Sequence, residues 1–281
     1  TILSSHEVGS DLTFSTALNG AGTYYVKVED GNYYYNGGQY SLTGSLTNGT
    51  SNRETEGNNS RSTADVISSG SSITGQISSY SDNDYYKIST DGAATISINF
   101  DAPTNSSSDY FKVAIQDSSG TVLASQDTGR DISFDTGVNS AGDYYVVIQD
   151  GNYYHTTDEY SFSTTIGAAA ANNTAETESN NTVSTADTIE MGKAITGQLF
   201  SFSDLDYFKF DTTQASTLSL VFDVPTNSSS DYFKISVRDI AGTILSSHEV
   251  GSDLTFSTAL NGAGTYYVKV EDGNYYYNGG Q

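Results

Sequence analysis

Residues 1–39 and 243–281 of this chain are the same sequence. The stretch TILSSHEVGSDLTFSTALNGAGTYYVKVEDGNYYYNGGQ returns without one substitution after 242 positions. Identity over such a length is not expected by chance within a single fold. We therefore interpret the chain as a window of a tandem array that slightly exceeds one period. Such arrays act as spacers, fibres or multivalent binders, because each added copy adds length and valency.

A weaker repeat lies inside this period. When the chain is shifted by 122 residues, the run PTNSSSDYFK at 103–112 returns unchanged at 225–234, and other motifs return with substitutions. The period therefore consists of two related domains of about 120 residues, an ordinary size for a compact domain. We expect the C-terminal half of a domain over 1–50, a complete domain over 54–167, and a domain over 176–281 that lacks its last strand.

Polar and apolar residues alternate through each domain, as in TISINF at 95–100, FKVAIQ at 111–116 and YYVVI at 144–148. A period of two is typical of half-buried strands, and the glycine of DSSG at 117–120 suits a hairpin turn. Seven or eight short strands per domain predict an all-β chain of tandem, jelly-roll-like β-sandwiches with polar outer faces. Residues 62–67 are compatible with a single helical turn.

The composition excludes several classes of function. With 11 Lys and Arg against 34 Asp and Glu, a net charge of −23, the chain lacks the basic face that nucleic acids or anionic membranes require. No segment approaches the ~20 apolar residues of a membrane-spanning helix. The chain has no cysteine, so disulfides cannot hold its loops. Bound cations would suit a chain this acidic, although the charge could also serve solubility alone.

Carboxylates and amides gather at the entrance of each domain and recur about 25 residues later, before a Tyr-rich strand. Oxygen-only clusters of this density suit Ca²⁺, which takes six to eight oxygen ligands, whereas transition metals favour His and Cys, which these clusters lack. The alternative is that these residues are solvated linker charges. The predicted calcium ligands are Glu54, Glu56, Asn58, Asn59, Asp82 and Asp84, with Glu176, Glu178, Asn180, Asn181, Asp204 and Asp206 as their counterparts.

The order of motifs resembles the bacterial pre-peptidase C-terminal domain. The matching motifs are E-x-E-x-N-N, D-x-D-Y-[YF]-K, A-G-x-Y-Y-V and a closing Y-S-[FL] strand, and they span both domains. The resemblance implies a secreted β-sandwich related to the collagen-binding domains of clostridial collagenases, in which the corresponding acidic residues bind Ca²⁺ and order the linker. Asn59 and Asn181 stand where those domains have an acid, so the number of ions per domain stays open.

Tyrosine clusters occupy the loop before the closing strand in each copy. Exposed tyrosines can stack on sugars or contact a peptide, and they can equally pack between neighbouring domains. The candidate ligand-binding residues are Tyr33, Tyr34, Tyr35, Tyr153, Tyr154, Tyr275, Tyr276 and Tyr277.

Two functions remain after these exclusions. The first is structural: a calcium-stiffened segment of an extracellular filament or giant surface adhesin. The second is a multivalent module that displays the tyrosine loops to a host or matrix protein or a glycan. No enzyme is predicted, because the chain has no G-x-S-x-G motif and its carboxylates gather at domain entrances rather than in a cleft.

Neighbouring copies of the same repeat are the expected partners. Residues 40–46 correspond to the closing strand of a complete domain, so we expect them either to continue a covalent array or to complete the sheet of another chain by strand addition. No nucleic acid and no membrane insertion are expected.

Overall fold

The structure is a computed structural model that describes residues 2–18, 20–31, 37–47, 52–151, 156–168, 175–225 and 232–273. These residues form strands and contain no helix, which confirms the predicted all-β class. The strands are β1 (Asp65–Val66), β2 (Ser72–Gly75), β3 (Asn83–Thr90), β4 (Ala94–Asp101), β5 (Phe111–Gln116), β6 (Val122–Thr128), β7 (Ile132–Val138), β8 (Gly142–Asp150), β9 (Tyr160–Ala168), β10 (Asp187–Thr188), β11 (Leu205–Thr212), β12 (Ser216–Phe222), β13 (Phe233–Asp239), β14 (Ile244–Val250), β15 (Leu254–Leu260) and β16 (Gly264–Asp272).

Residues 52–168, here called the first unit, form a sandwich of two sheets. The five-stranded sheet has the order β1-β3-β8-β5-β6 and the four-stranded sheet the order β2-β9-β4-β7. Only β1 runs parallel to its neighbour, and the other ladders are antiparallel. The closing strand β9 lies between β2 and β4, so it completes the smaller sheet.

The core of the first unit lies between the two sheets. Alternate residues of each strand point into it: Tyr86 and Ile88 come from β3, and Ile96, Ile98 and Phe100 come from β4, all of them almost fully buried. Burial of each such side chain stabilises the fold by about 1.5–3 kcal/mol relative to exposure. The period-two pattern read from the sequence therefore corresponds to the inward faces of the strands.

Residues 175–273, here called the second unit, repeat the larger sheet with the order β10-β11-β16-β13-β14. The smaller sheet contains only β12 and β15 among the described residues. The counterpart of β2, residues 194–197, is reduced to an isolated bridge between Thr196 and Ala175. The edge of β12 that corresponds to the β9 side of β4 therefore has no strand beside it in the described part of the chain.

The opening segment differs from its identical copy. Residues 2–18 and 20–31 contain no strand, whereas the same sequence at 244–273 supplies β14, β15 and β16. The segment still contacts the first unit, because the backbone N–H of Ser5 and the hydroxyl of Ser4 both donate to Oε1 of Gln76 at 3.0 Å.

Two local expectations require correction. Residues 62–67 do not form a helical turn, because Asp65 and Val66 pair with β3 as the parallel strand β1. The outer face of the larger sheet is not wholly polar either, since Ala114, Tyr145 and Val147 are buried there against Ala64. No helix formed by the described residues is long and apolar enough to cross a membrane.

Candidate metal centre at the entrance of each unit

A backbone clip places the entrance segment of each unit beside the strand that carries the paired aspartates. The N–H of Tyr85 in β3 donates to the carbonyl of Asn58 (3.1 Å), and the N–H of Tyr207 in β11 donates to the carbonyl of Asn180 (3.2 Å). The motifs E-x-E-x-N-N and D-x-D, about 25 residues apart in sequence, therefore come together in both units.

The predicted ligands are largely withdrawn from water. Glu54, Glu56, Asn58, Asp82 and Asp84 are buried in the first unit. Their counterparts in the second unit are also buried, except that Glu178 is half-buried. Burial of four carboxylates in one place is not what solvated linker charges would show, because an ionised carboxylate leaves water only at a large cost unless it is compensated.

The acidic pocket of the first unit is closed by two tyrosines. The hydroxyl of Tyr86 donates to Oε2 of Glu54 (2.9 Å), and that of Tyr160 donates to Oδ2 of Asp84 (2.6 Å). The two hydroxyl oxygens are themselves 2.6 Å apart. The backbone N–H of Gln76 supplies a further donor to Oε1 of Glu54 (2.6 Å).

Neither hydroxyl has a counterpart among the described residues of the second pocket. Phe208 stands at the position of Tyr86, and the described residues include no counterpart of Tyr160. One ligand atom from each of Glu176, Glu178 and Asp206 lies within 4.8 Å of the other two. No equivalent trio is found among the described residues of the first unit.

Burial raises the pKa of the carboxyl groups in both pockets. In the first unit, desolvation raises the pKa of Glu54 to about 7, and desolvation with the charges of Asp82 and Glu54 raises that of Glu56 to about 8. Burial, followed by the charge of Glu54, also raises the pKa of Asp84 well above its ordinary value.

The shifts are larger in the second unit. Desolvation raises the pKa of Glu176 to about 8, and desolvation with the charges of Asp204 and Glu176 raises that of Glu178 to about 9. Burial raises the pKa of Asp204 to about 6 and that of Asp206 well above its ordinary value. Both pockets therefore disfavour their own ionised form, which a bound cation would relieve.

Several buried oxygens without a hydrogen-bond partner indicate a cation site. Within the described residues, Oδ1 of Asp206, Oδ1 of Asn180 and Oε1 of Glu178 have no hydrogen-bond partner. In the first unit, Oδ1 of Asp84 and Oδ1 of Asn58 are also buried and have no hydrogen-bond partner. Buried polar atoms are nearly always paired, and unpaired carboxylate and amide oxygens are ligands that Ca²⁺ accepts. The donor set therefore fits a hard divalent cation.

The remaining predicted ligands lie at the rim of the pockets. Oδ1 of Asn181 accepts a hydrogen bond from the N–H of Leu205 (2.8 Å). Asn59 is exposed. In the amide orientation that satisfies both its side-chain oxygen and its nitrogen, the nitrogen donates to Oδ1 of Asp82 (2.8 Å). These asparagines thus hold the neighbouring aspartates or strand.

Sequence analysis missed the glutamine that links each pocket to the preceding segment. Gln198 donates its backbone N–H to Oε1 of Glu176, and its side-chain Oε1 accepts the N–H of Ser125 in β6 of the first unit (3.1 Å). Gln76 makes the same pair of contacts with Glu54 and Ser5. The signal was present, because the quartet I-T-G-Q occurs unchanged at 73–76 and 195–198.

The predicted tyrosine sites cannot be placed. Residues 33–35, 153–154 and 275–277 lie outside the described residues. Ligand binding by these loops stays a prediction from the sequence.

Comparison with solved structures finds other β-rich modules. The pre-peptidase C-terminal domain of a collagenase from Bacillus anthracis is similar to this chain with 20% identity and a TM-score of 0.30, over 36% of this chain and 93% of that one. Tandem CBM51 modules of a family 98 glycoside hydrolase from Streptococcus pneumoniae match with 12% identity and a TM-score of 0.26, over 74% and 80% of the two chains. At these TM-scores no argument about function follows. No protein-family model matches the chain, and no curated protein matches it significantly.

Proposed function

We propose that the chain is a calcium-stiffened segment of an extracellular tandem array, with a structural rather than an enzymatic role. The observation that carries this proposal is a series of hydrogen bonds that links each acidic pocket to the segment before it. The series occurs at two junctions: between the first and second units, and between the opening segment and the first unit. Glu176 accepts from Gln198, and Gln198 accepts from Ser125 of the first unit. Glu54, Gln76 and Ser5 repeat the arrangement.

A cation in the pocket would act on the junction through this chain of contacts. Coordination would hold the Glu176 carboxylate in place, and that carboxylate in turn holds the backbone of Gln198. A second contact joins the same elements, since the N–H of Gly137 in β7 donates to the carbonyl of Glu176 (2.8 Å). Occupied pockets would therefore fix the angle between consecutive units, so that a string of domains becomes a rod.

Calcium is the cation that best fits these pockets. The candidate ligands are all oxygens, and the pockets differ in shape between the two units, which suits the irregular coordination that Ca²⁺ tolerates and Mg²⁺ does not. Extracellular calcium modules bind at about 10⁻⁴–10⁻³ M, so millimolar calcium outside a cell would fill them. The identical repeats support a role in which length is the useful property.

The proposal is tested by calcium titration calorimetry and by X-ray scattering. We expect calcium to bind both pockets, with Asp206→Asn removing binding in the second unit and Asp84→Asn in the first. The exposed Asp91→Asn removes the same charge outside both pockets and should bind like the unchanged protein. Scattering should show a longer and narrower distance distribution in calcium than in EDTA. Absence of binding heat, or identical scattering in the two conditions, would overturn the proposal.

A further inference from the structure

An edge strand from each sheet of the first unit contacts the second unit. β6 lies at one edge of the larger sheet, and β7 lies at one edge of the smaller sheet. The backbone N–H of Ser125 in β6 donates to the side chain of Gln198 (3.1 Å), and that of Gly137 in β7 donates to the carbonyl of Glu176 (2.8 Å). Edge strands present unpaired backbone groups, and these two N–H groups find their acceptors in the following unit.

The entrance segment of the second unit is bridged to both units. Thr177 forms an isolated parallel bridge with Gly137 of the first unit. Ala175 forms another with Thr196 of the second unit. Glu176 lies between these two bridges: its N–H donates to the carbonyl of Thr196 (2.8 Å), while its own carbonyl accepts from Gly137. The backbone of one candidate cation ligand is therefore held from both sides of the junction.

A glycine permits the close approach at this junction. Gly137 pairs with Thr95 of β4 on the outer face of the smaller sheet, yet it is buried. A Cβ added to Gly137 would clash with the carbonyl oxygen of Glu176 and with the methyl group of Thr177. The backbone of Gly137 does not have the positive φ that would itself demand glycine. The entrance segment of the second unit is therefore what excludes a side chain at this position.

A second glycine in the same row of the sheet has no such neighbours. Thr95 pairs with Gly137 on one side and with Gly167 of β9 on the other. Gly167 is exposed, and a Cβ added to it would make only ordinary van der Waals contact with Thr95. The close packing at Gly137 is therefore a property of the junction and not of the sheet.

The contact of β6 acts on the carboxylate of the same ligand. Gln198 donates its backbone N–H to Oε1 of Glu176, and its side-chain oxygen accepts the N–H of Ser125. Gln198 and Ser125 are only 3% and 5% exposed, so water competes little for the hydrogen bond between them. The first unit thus holds the backbone of Glu176 directly and its carboxylate through Gln198.

We propose that the second pocket is a composite site, in which Gly137 and Ser125 of the first unit position Glu176 and thereby raise the affinity of the pocket for calcium. This inference rests on the calcium binding proposed above. The ligand atoms of Glu178 and Asp206 lie within 4.8 Å of that of Glu176, so a cation needs all three carboxylates together. A ligand that is already held in place loses less freedom on binding. Because such coupling is reciprocal, calcium should also tighten the junction.

Calcium titration calorimetry of combined variants tests the positioning role. In an Asp84→Asn background, calcium binding reports on the second pocket alone. Gly137→Val should lower the affinity of that pocket at least about fivefold, because valine suits a strand but not the contact with the entrance segment. Gln198→Met keeps the backbone donor, loses the side-chain acceptor and should lower the affinity as well. The matched control Gly167→Val should leave it unchanged. In an Asp206→Asn background, Gly137→Val should not alter the affinity of the first pocket.

Amide hydrogen exchange measures the reciprocal effect, which a purely structural contact would not show. The N–H of Gly137 should exchange at least about fivefold more slowly in calcium than in EDTA, and Asp206→Asn should remove this difference. Absence of calcium binding in the Asp84→Asn background would overturn the proposed function together with this inference. Two results would overturn this inference alone: calcium binding that neither Gly137→Val nor Gln198→Met weakens, or exchange at Gly137 that calcium does not slow.

Discussion

The two acidic pockets descend from one repeat, yet they satisfy their carboxylates differently. In the first unit, Tyr86 and Tyr160 donate hydroxyl hydrogen bonds to Glu54 and Asp84. In the second unit, Phe208 replaces the first tyrosine, and Glu176 accepts a side-chain hydrogen bond from the amide of Asn180 (3.3 Å).

The surroundings of one glycine also differ between the two pockets. A Cβ added to Gly75 would clash with the hydroxyl oxygen of Tyr160, whereas one added to its counterpart Gly197 would clash with Oε2 of Glu176. The space that tyrosine hydroxyls occupy in the first pocket is thus approached by a carboxylate in the second. Hydroxyl donors can partly compensate buried carboxylates when no cation is bound, so the second pocket should depend on a cation more than the first does.

Calcium removal is expected to have the largest effect, and the effect should be unequal. A site filled at about 100 times its dissociation constant adds ~2.7 kcal/mol to the free energy of unfolding, which corresponds to about 10–20 °C for a domain of this size. We expect a drop of this order for the second unit in EDTA and a smaller one for the first. Differential scanning calorimetry measures both, and Asp206→Asn and Asp84→Asn assign the transitions. Equal drops would show that the tyrosines do not substitute for the cation.

The second largest expected effect is that the stability of the calcium-free protein depends on pH differently in the two units. Below about pH 4.5 their glutamates are protonated in both the folded and unfolded states. Between pH 4.5 and about 9 the folded state holds protons that the unfolded state releases, because the pKa values of Glu176 and Glu178 are raised to about 8 and 9. The free energy of unfolding therefore falls as the pH rises through this range.

We expect the melting temperature of the second unit in EDTA to fall by about 5–10 °C from pH 5 to pH 9. The first unit should fall less and level off earlier, because the pKa values of Glu54 and Glu56 are raised only to about 7 and 8. Saturating calcium should reverse the trend in both, since the ion binds ionised carboxylates. A melting temperature in EDTA that rises with pH would contradict the proposed burial of these groups.

Exchanging Tyr86 and Phe208 between the pockets should make the calcium dependence of each unit more like that of the other. Tyr86→Phe removes the hydroxyl that donates to Glu54 and leaves a buried carboxylate oxygen short of a donor, at a cost of about 1–3 kcal/mol in the calcium-free protein. Calcium should restore most of this loss. The matched variant Phe208→Tyr offers a hydroxyl to the second pocket and should reduce the difference in melting temperature between calcium and EDTA. Calorimetry measures the stability of both variants in calcium and in EDTA. If Tyr86→Phe lost the same free energy of unfolding in both conditions, the tyrosine hydroxyl would not be compensating the buried carboxylate in place of a cation.

Much of the fold follows from local patterns, while the difference between the pockets does not. Alternation identified the strands β4, β5 and β8, and the repeated carboxylates identified residues that come together. Tyr160, however, reaches Asp84 across 76 positions of sequence, and such a meeting depends on the pairing of β9 with β2 and β4. Periodicity shows which side of a strand faces inward but not which inward residues meet.

The identical segments show the limit of local sequence in another way. Residues 244–273 form β14, β15 and β16, but the same sequence at 2–18 and 20–31 forms no strand. In the second unit β13 pairs with both β14 and β16, and β12 pairs with β15. Among the described residues, no strand pairs with the opening segment in this way. Strand formation depends on cross-strand neighbours and burial more than on intrinsic preference.

The smallest expected effect concerns the rim asparagines. Asn181→Asp keeps an oxygen that can accept from the N–H of Leu205 and adds a negative charge near Asp204, so we expect calcium affinity to rise about threefold to tenfold. Asn59→Asp should gain less, because Asn59 is exposed and its charge is better screened by water. Asn59→Asp also replaces the amide that donates to Asp82 with a like charge. Calcium titration of both variants decides the order, and a larger gain for Asn59→Asp would mean that the rim of the first pocket, not the second, lies closer to the ion.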